Sequence, residues 1–203
     1  NFEGQPELHR LVAKKAPKFG NDDERADRQG VRLVKTFVRI LKSFSDARGT
    51  PYAANMIPTT THLPFGDRTA ASPDGRLKGA PLSEGISPVQ GKDLAGPTAV
   101  VNTMGKIDHA ATAGTLLNMK FSPATLAGDL GLRKFAALIR TYFDLGGHHM
   151  QFNVVSRQTL LKAQADPASY RSLLIRVAGY SDYFVMLSKD VQNEVISRTE
   201  HGI

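Results

Sequence analysis

The sequence predicts an α/β fold, and three observations carry that expectation. The composition lies near globular averages, with 41% hydrophobic, 7% aromatic and 22% charged residues among 203. Apolar residues recur at helical spacing in some windows and alternate in others. From residue 96 onward these periods follow one another as helix, extended run, helix, strand and helix, the succession typical of α/β chains.

Taken in order, Leu8, Leu11 and Val12 suit a short amphipathic helix closed by Pro17 and Gly20. Asn21 or Asp22 stands where it could cap a longer helix. The broad apolar face of that helix, Val31, Val34, Val38 and Leu41 joined by Leu33, Phe37, Ile40 and Phe44, reads as a packing surface and ends near Gly49. Residues 51–97 are rich in Gly, Pro, Ser and Thr and predict extended segments with ordered loops. A stretch so long is either disordered or functional. Ala99 to Met104 then reads as a short helix, Thr115 to Phe121 as an extended run, and Leu130 to Leu145 as an amphipathic helix closed by Gly146 and Gly147. His148 to Val155 alternates like a strand, and Ser156 is placed to cap a helix reaching about Ala165, before Pro167. A last helix holds Gln192, Glu194, Arg198 and Glu200, with Val191, Val195 and Ile196 on its apolar side. The chain divides in character into residues 1–95 and 96–203.

Charge and composition narrow the function. The net charge is +7, but Lys and Arg are scattered through helical patterns rather than gathered into a block, which argues against nucleic acid as a partner. No run approaches the roughly 18 to 20 apolar residues of a membrane span, and the amino terminus is polar, so the default expectation is a cytoplasmic protein without membrane contact. The adjacent His148 and His149 would point to opposite faces of a strand, and no spacing nearby completes a set of ligands, so no metal site is expected. The chain has no cysteine, which removes disulfides and thiolate metal sites.

Residues 174–185 read LIRVAGYSDYFV, with Gly179 at the centre. An isolated glycine there could serve only a turn between an apolar strand and a helix. Glycine also has a chemical capacity that no other residue shares. Without a Cβ its α-carbon can flatten into a planar radical and be approached closely by another residue's sulfur, while the flanking amides delocalise the unpaired electron.

The RVAGYSDYF run resembles the signature loop of glycyl radical enzymes, the superfamily of pyruvate formate-lyase and its diol dehydratase relatives. Further phrases resemble the dehydratase-like branch: Pro58-Thr-Thr-Thr-His62, Ser72-Pro-Asp-Gly-Arg76, Ala80-Pro-Leu-Ser-Glu-Gly-Ile-Ser-Pro88, Gly96-Pro-Thr-Ala99 and the long run from Tyr142 to Val155. The resemblance spans residues 50–203, with weaker matches upstream at Asn1-Phe-Glu-Gly and Ala16 to Asp22.

That resemblance implies the C-terminal part of a ten-stranded β/α barrel, with the radical loop near the C-terminus. Residues 1–95 would supply later barrel helices, a strand and ordered loops, and residues 96–203 the glycyl radical domain. Gly179 would store the radical, supported by Arg176, Tyr180, Ser181 and Tyr183, while Tyr52, Asn55, Met56 and His62 would face a substrate cavity. No bound cofactor or metal is implied. The radical would be installed by a separate activating enzyme that carries an iron–sulfur cluster and uses S-adenosylmethionine. The family's thiyl cysteine is missing here, so the expectation is a C-terminal fragment or a subunit that works with a cysteine-bearing remainder, the full enzyme being a homodimer. The implied chemistry is radical elimination from a small hydroxylated substrate such as glycerol or propanediol. Isethionate, choline, hydroxyproline, arylacetate and formate-producing reactions are alternatives, as are a spare-part glycyl radical protein and a radical-free α/β binding domain. Strand edges left by a cut barrel would make the isolated chain prone to aggregate.

Overall fold

A computed structural model describes residues 1–203 as an α/β assembly with seven α-helices and seven short strands. Its centre is β3, Leu117–Phe121, buried at every residue as a strand covered on both faces must be. β4, Met150–Val154, pairs with β3 in parallel, Asn118 opposite Gln151 and Lys120 opposite Asn153, and the short β7, Glu200–His201, pairs in parallel on the other edge. β1, Asn55–Met56, and β2, Gly114–Thr115, form a separate parallel pair. β5, Leu174–Arg176, and β6, Ser181–Tyr183, form an antiparallel hairpin of their own.

Alternation along β3 and β4 divides the interior. Leu117, Met119 and Phe121 enter one apolar cluster with Val100, Val101 and Met104 of α4, Pro97–Gly105, and Leu138 and Tyr142 of α5, Gly128–Asp144. Phe121, Phe135 and Phe152 interlock there, with ring centroids 4.7 to 5.9 Å apart. A second cluster joins Ile175, Val177 and Ala178 of the hairpin to α6, Arg157–Ala165, and α7, Lys189–Ser197.

The expected helices form with shifts at their ends. α1 spans Pro6–Lys15 but buries no residue. α2 spans Glu24–Leu41 and is capped by Asp23, whose carboxylate accepts the Arg25 N–H, rather than by Asn21 or Asp22. Asp22 instead leaves the helix and pairs with Lys106 at 2.8 Å. Only Asp27 and Val38 of α2 are buried, and Leu33, Phe37, Ile40 and Phe44 stand exposed. The side carrying Leu33, Phe37 and Ile40 is therefore not covered within the chain, whereas Val34 lies against the first apolar cluster. α2 is tied on by buried Asp27, which accepts from Lys106 at 2.6 Å and Thr103 at 3.2 Å. Ser156 caps α6 as expected. The stretch 51–97 contains β1 and α3, His62–Arg68, within ordered turns.

Three details depart from the sequence reading. β4 begins at Met150, so His148 and His149 lie in the turn before it. α7 ends at Ser197, which leaves Arg198 as its C-cap and puts Glu200 in β7. The turn at Gly179 joins two strands, not a strand and a helix.

Candidate functional site: the Gly179 hairpin and the polar face beneath it

Gly179 sits at the tip of the β5–β6 hairpin with φ +81°, a conformation in which L side chains are strained. The Val177 N–H donates to the Tyr180 carbonyl at 2.8 Å and closes a loop of two residues, Ala178 and Gly179. Ala178 is buried and Gly179 is exposed within this chain. A Cβ built on Gly179 would meet only Leu116 Cδ1 at 3.5 Å and Ile57 Cγ2 at 3.6 Å, which is ordinary contact. Gly85 differs, since a Cβ there would lie 2.4 Å from the Leu116 carbonyl oxygen. Packing demands glycine at 85. At 179 the demand comes from the backbone angle and from whatever approaches the outer face.

The hairpin meets the central sheet through polar side chains rather than a backbone ladder. Asn153 of β4 receives the Arg176 N–H at 2.8 Å and donates to the Arg176 carbonyl at 2.7 Å, as a neighbouring strand would. Arg176 Nε donates to Gln151 Oε1 at 2.6 Å, Gln151 Nε2 donates to Asn118 Oδ1, and Asn118 Nδ2 donates to Glu84 Oε2. Asn118 Nδ2 also donates to the Val177 carbonyl at 3.0 Å, and the Asn118 N–H donates to Ser87 Oγ at 2.9 Å. Arg198 Nη2 reaches the same Val177 carbonyl at 2.9 Å while its guanidinium grips Glu194 at 2.8 and 3.0 Å. Glu194 Oε1 also accepts from Gln90 at 3.0 Å.

This layer is buried and electrically tense. Burial pushes the Glu84 carboxyl up to about 7, against the opposing pull of Arg198 and the Asn118 hydrogen bond, and Glu84 Oε1 has no hydrogen-bond partner. Burial likewise brings Lys120 down to about 8, where its ammonium donates to the Val195 and Ile196 carbonyls at the end of α7, at 3.3 and 3.1 Å. A polar cavity of about 20 Å³, wide enough for one water, opens among Glu84, Lys120, Glu194 and Arg198.

The residues expected to matter are distributed unevenly. Arg176 is bonded into the layer and reaches Ser181 Oγ at 3.4 Å. Tyr180 packs on the second apolar cluster, and burial raises its phenol above the usual range. Tyr183 is half exposed, its N–H held by Asp182 at 2.7 Å. Tyr52 and Asn55 are exposed, Met56 lines an apolar cleft of about 860 Å³ beside α2, and His62 is buried 3.8 Å from Glu194. The structure does not gather these four into one cavity. Burial lowers the His62 imidazole below its usual range against the pull of Glu194, and neither ring nitrogen finds a hydrogen bond.

Sequence reasoning missed Ile57, which lies beneath Gly179, and the row Asn118, Gln151 and Asn153 together with Glu84. Alternation in Leu117–Phe121 and Met150–Val154 carried a signal, but polar residues on alternate positions ordinarily mean a solvated face. Here that face is covered by the hairpin and α7.

Comparison with known proteins places this arrangement. Residues 82–185 match the family described as Glycine radical, and residues 1–66 match Pyruvate formate lyase-like. Trans-4-hydroxy-L-proline dehydratase of Clostridioides difficile is 46% identical over 98% of this chain, and an isethionate sulfite-lyase of Oleidesulfovibrio alaskensis is 44% identical over 99%. The glycerol-bound B12-independent glycerol dehydratase from Clostridium butyricum superposes with a TM-score of 0.95 at 43% identity, over 100% of this chain and 26% of that one. The chain spans about a quarter of the length of the curated relatives it matches, 25% of the first and 24% of the second. The Glycine radical match takes in Gly179 and just over half of the residues, and the chain belongs to that family.

Proposed function

We propose that this chain supplies the radical-storing glycine of a glycyl radical enzyme of the eliminating, lyase or dehydratase type, and that Gly179 is that glycine. The observation that carries the reading is a glycine at φ +81° whose outer face is open although nothing in the chain's own packing forbids a side chain. Residues 96–203 act as the radical-bearing part. Residues 1–95 contribute barrel elements, with the loop around Glu84 stitched to the sheet. Met56 and the 52–58 segment, which reaches Gly179 through Ile57, border the substrate space.

In activation, a separate enzyme with an iron–sulfur cluster and S-adenosylmethionine removes one hydrogen atom from the Gly179 α-carbon. In turnover, a thiol of the cysteine-bearing remainder returns a hydrogen atom to that carbon and becomes a thiyl radical, which takes a hydrogen atom from substrate. Reversal restores both groups. The chain's own residues hold the α-carbon in place: the hairpin fixes φ, Leu116 and Ile57 support its underside, and Arg176 anchors β5. A small hydroxylated substrate such as glycerol or propanediol is favoured by relatives whose names include glycerol dehydratase and 1,2-propanediol dehydration. The full enzyme works as a homodimer in the cytoplasm of a cell growing without oxygen, which would otherwise cleave the backbone at the radical.

The test is electron paramagnetic resonance on the anaerobically activated full enzyme. The expected spectrum is a doublet that collapses when glycine is deuterated at its α-carbon. Gly179→Ala should cost only about 1–2 kcal/mol of stability, the strain of a positive φ, yet erase the doublet and all turnover. A doublet that survives Gly179→Ala would refute the assignment.

A further inference from the structure

The polar layer under the hairpin converges on one backbone atom. In a closed loop of two residues the Val177 carbonyl would face the Tyr180 N–H, but no bond joins them. That oxygen accepts instead from Asn118 Nδ2 at 3.0 Å and from Arg198 Nη2 at 2.9 Å. One donor comes from the central strand β3 and the other from the end of α7, so the carbonyl lies where the sheet and the terminal helix meet. It is two residues from Gly179.

Both donors are fixed in orientation. The two hydrogens of the Asn118 amide go to Glu84 and Val177, and its oxygen takes the Gln151 amide, so the group cannot flip without losing all three bonds. Arg176, Gln151 and Asn118 each pass one donor on toward the Glu84 carboxyl, a chain in which a cation at one end and an acid at the other polarise the amides between them. The Arg198 guanidinium is held by both oxygens of Glu194, a fork that leaves one geometry for the remaining N–H. These are costs of burial with no evident return in packing, since apolar side chains would fill the same space.

We propose that Asn118 and Arg198 are positioning residues that set the place of the Gly179 α-carbon by holding the Val177 carbonyl from two sides, with Glu84 and Glu194 orienting them. The proposal rests on Gly179 as the radical store. Hydrogen-atom exchange with a sulfur on another segment depends steeply on separation, and a misplacement of about 1 Å can lower a rate about a hundred-fold. Val177 controls that separation because only Ala178 stands between it and the glycine.

The experiment compares Asn118→Leu, Arg198→Lys and Arg198→Leu in the activated full enzyme, measuring turnover per glycyl spin. Asn118→Leu and Arg198→Leu should each lower turnover per spin about ten-fold or more with the doublet splitting and KM unchanged. Arg198→Lys keeps a cation and one donor, and should recover most of the loss. Wild-type turnover per spin in both leucine variants would overturn the proposal. So would a fall in spin yield that fully accounts for lost activity, because that marks a merely structural role. Should Asn118→Leu fail to assemble, the Arg198 pair decides alone. A wild-type enzyme without the doublet would instead refute the assignment of Gly179 on which the proposal stands.

Discussion

The two faces of the β3–β4 pair alternate residue by residue yet hold their neighbours by opposite means. One face presents Leu117, Met119, Phe121 and Phe152 to α4 and α5. The other presents Asn118, Lys120, Gln151 and Asn153 to the hairpin and α7, all four buried. Apolar contact is non-directional and grows with area, so the first face stabilises the fold without specifying fine position. Hydrogen bonds add little net energy each but are directional and costly when half-made, so the second face fixes the place of a backbone loop. The difference separates contacts that stabilise this fold from contacts that orient its hairpin.

The contrast breaks first under truncation of the apolar face. Phe121→Ala should cost about 3–5 kcal/mol, because Phe135 and Phe152, which pack against the lost ring, cannot close the gap. Denaturant unfolding of the assembled enzyme measures it, and a cost below that of the polar-face variants would remove the distinction.

Asn153→Leu tests the polar face. The Arg176 N–H and carbonyl lose their partner on β4, for about 1–3 kcal/mol. Amide hydrogen exchange should quicken across residues 174–183 and stay slow across Leu117–Phe121. Equal acceleration of both segments would mean that the hairpin and sheet open as one.

A smaller, pH-dependent effect comes from Glu84. Burial raises its carboxyl from 4.5 to about 7, so between those values the folded state binds more protons than the unfolded one. Stability from this group is therefore full below about 4.5 and lost as pH rises toward about 7. The groups facing it pull both ways: Arg198, Asn118 and Ser87 favour the carboxylate, and Glu194 opposes it. Glu84→Gln should flatten that part of the melting-temperature profile. An unchanged slope would assign the pH dependence elsewhere.

The smallest effect marks the outer surface of the hairpin. Leu174 is exposed, and Leu174→Ala should change stability by less than about 0.5 kcal/mol. A larger loss measured in the assembled enzyme would show that another segment covers it.

Much of this fold was legible in the sequence. Helix periods located α2, α5 and α6, Ser156 marked a cap, and the RVAGYSDYF run marked the glycine turn, because these signals depend on neighbours within a few residues. Ends depending on distant partners were less legible. Asp22 looked like a cap but was drawn to Lys106, 84 residues away, which left the cap to Asp23. Leu33, Phe37 and Ile40 gave a correct helix and an incomplete account of its packing, since periodicity shows that a face is apolar without showing what covers it. At the candidate site, Arg176 and Gly179 could be named from the motif, whereas Asn118, Gln151 and Glu84 could not. Their alternation is identical to that of a solvated strand.

The α/β class, the family and the glycine set in the RVAGYSDYF pattern are readable from local order along the chain. Folding in three dimensions buries the polar face of β3 and β4, turns the Val177 carbonyl from Tyr180 to Asn118 and Arg198, and pushes the Glu84 carboxyl up to about 7. Each of those depends on groups 21 to 59 residues apart in the chain being brought within hydrogen-bond reach, and on the desolvation that follows.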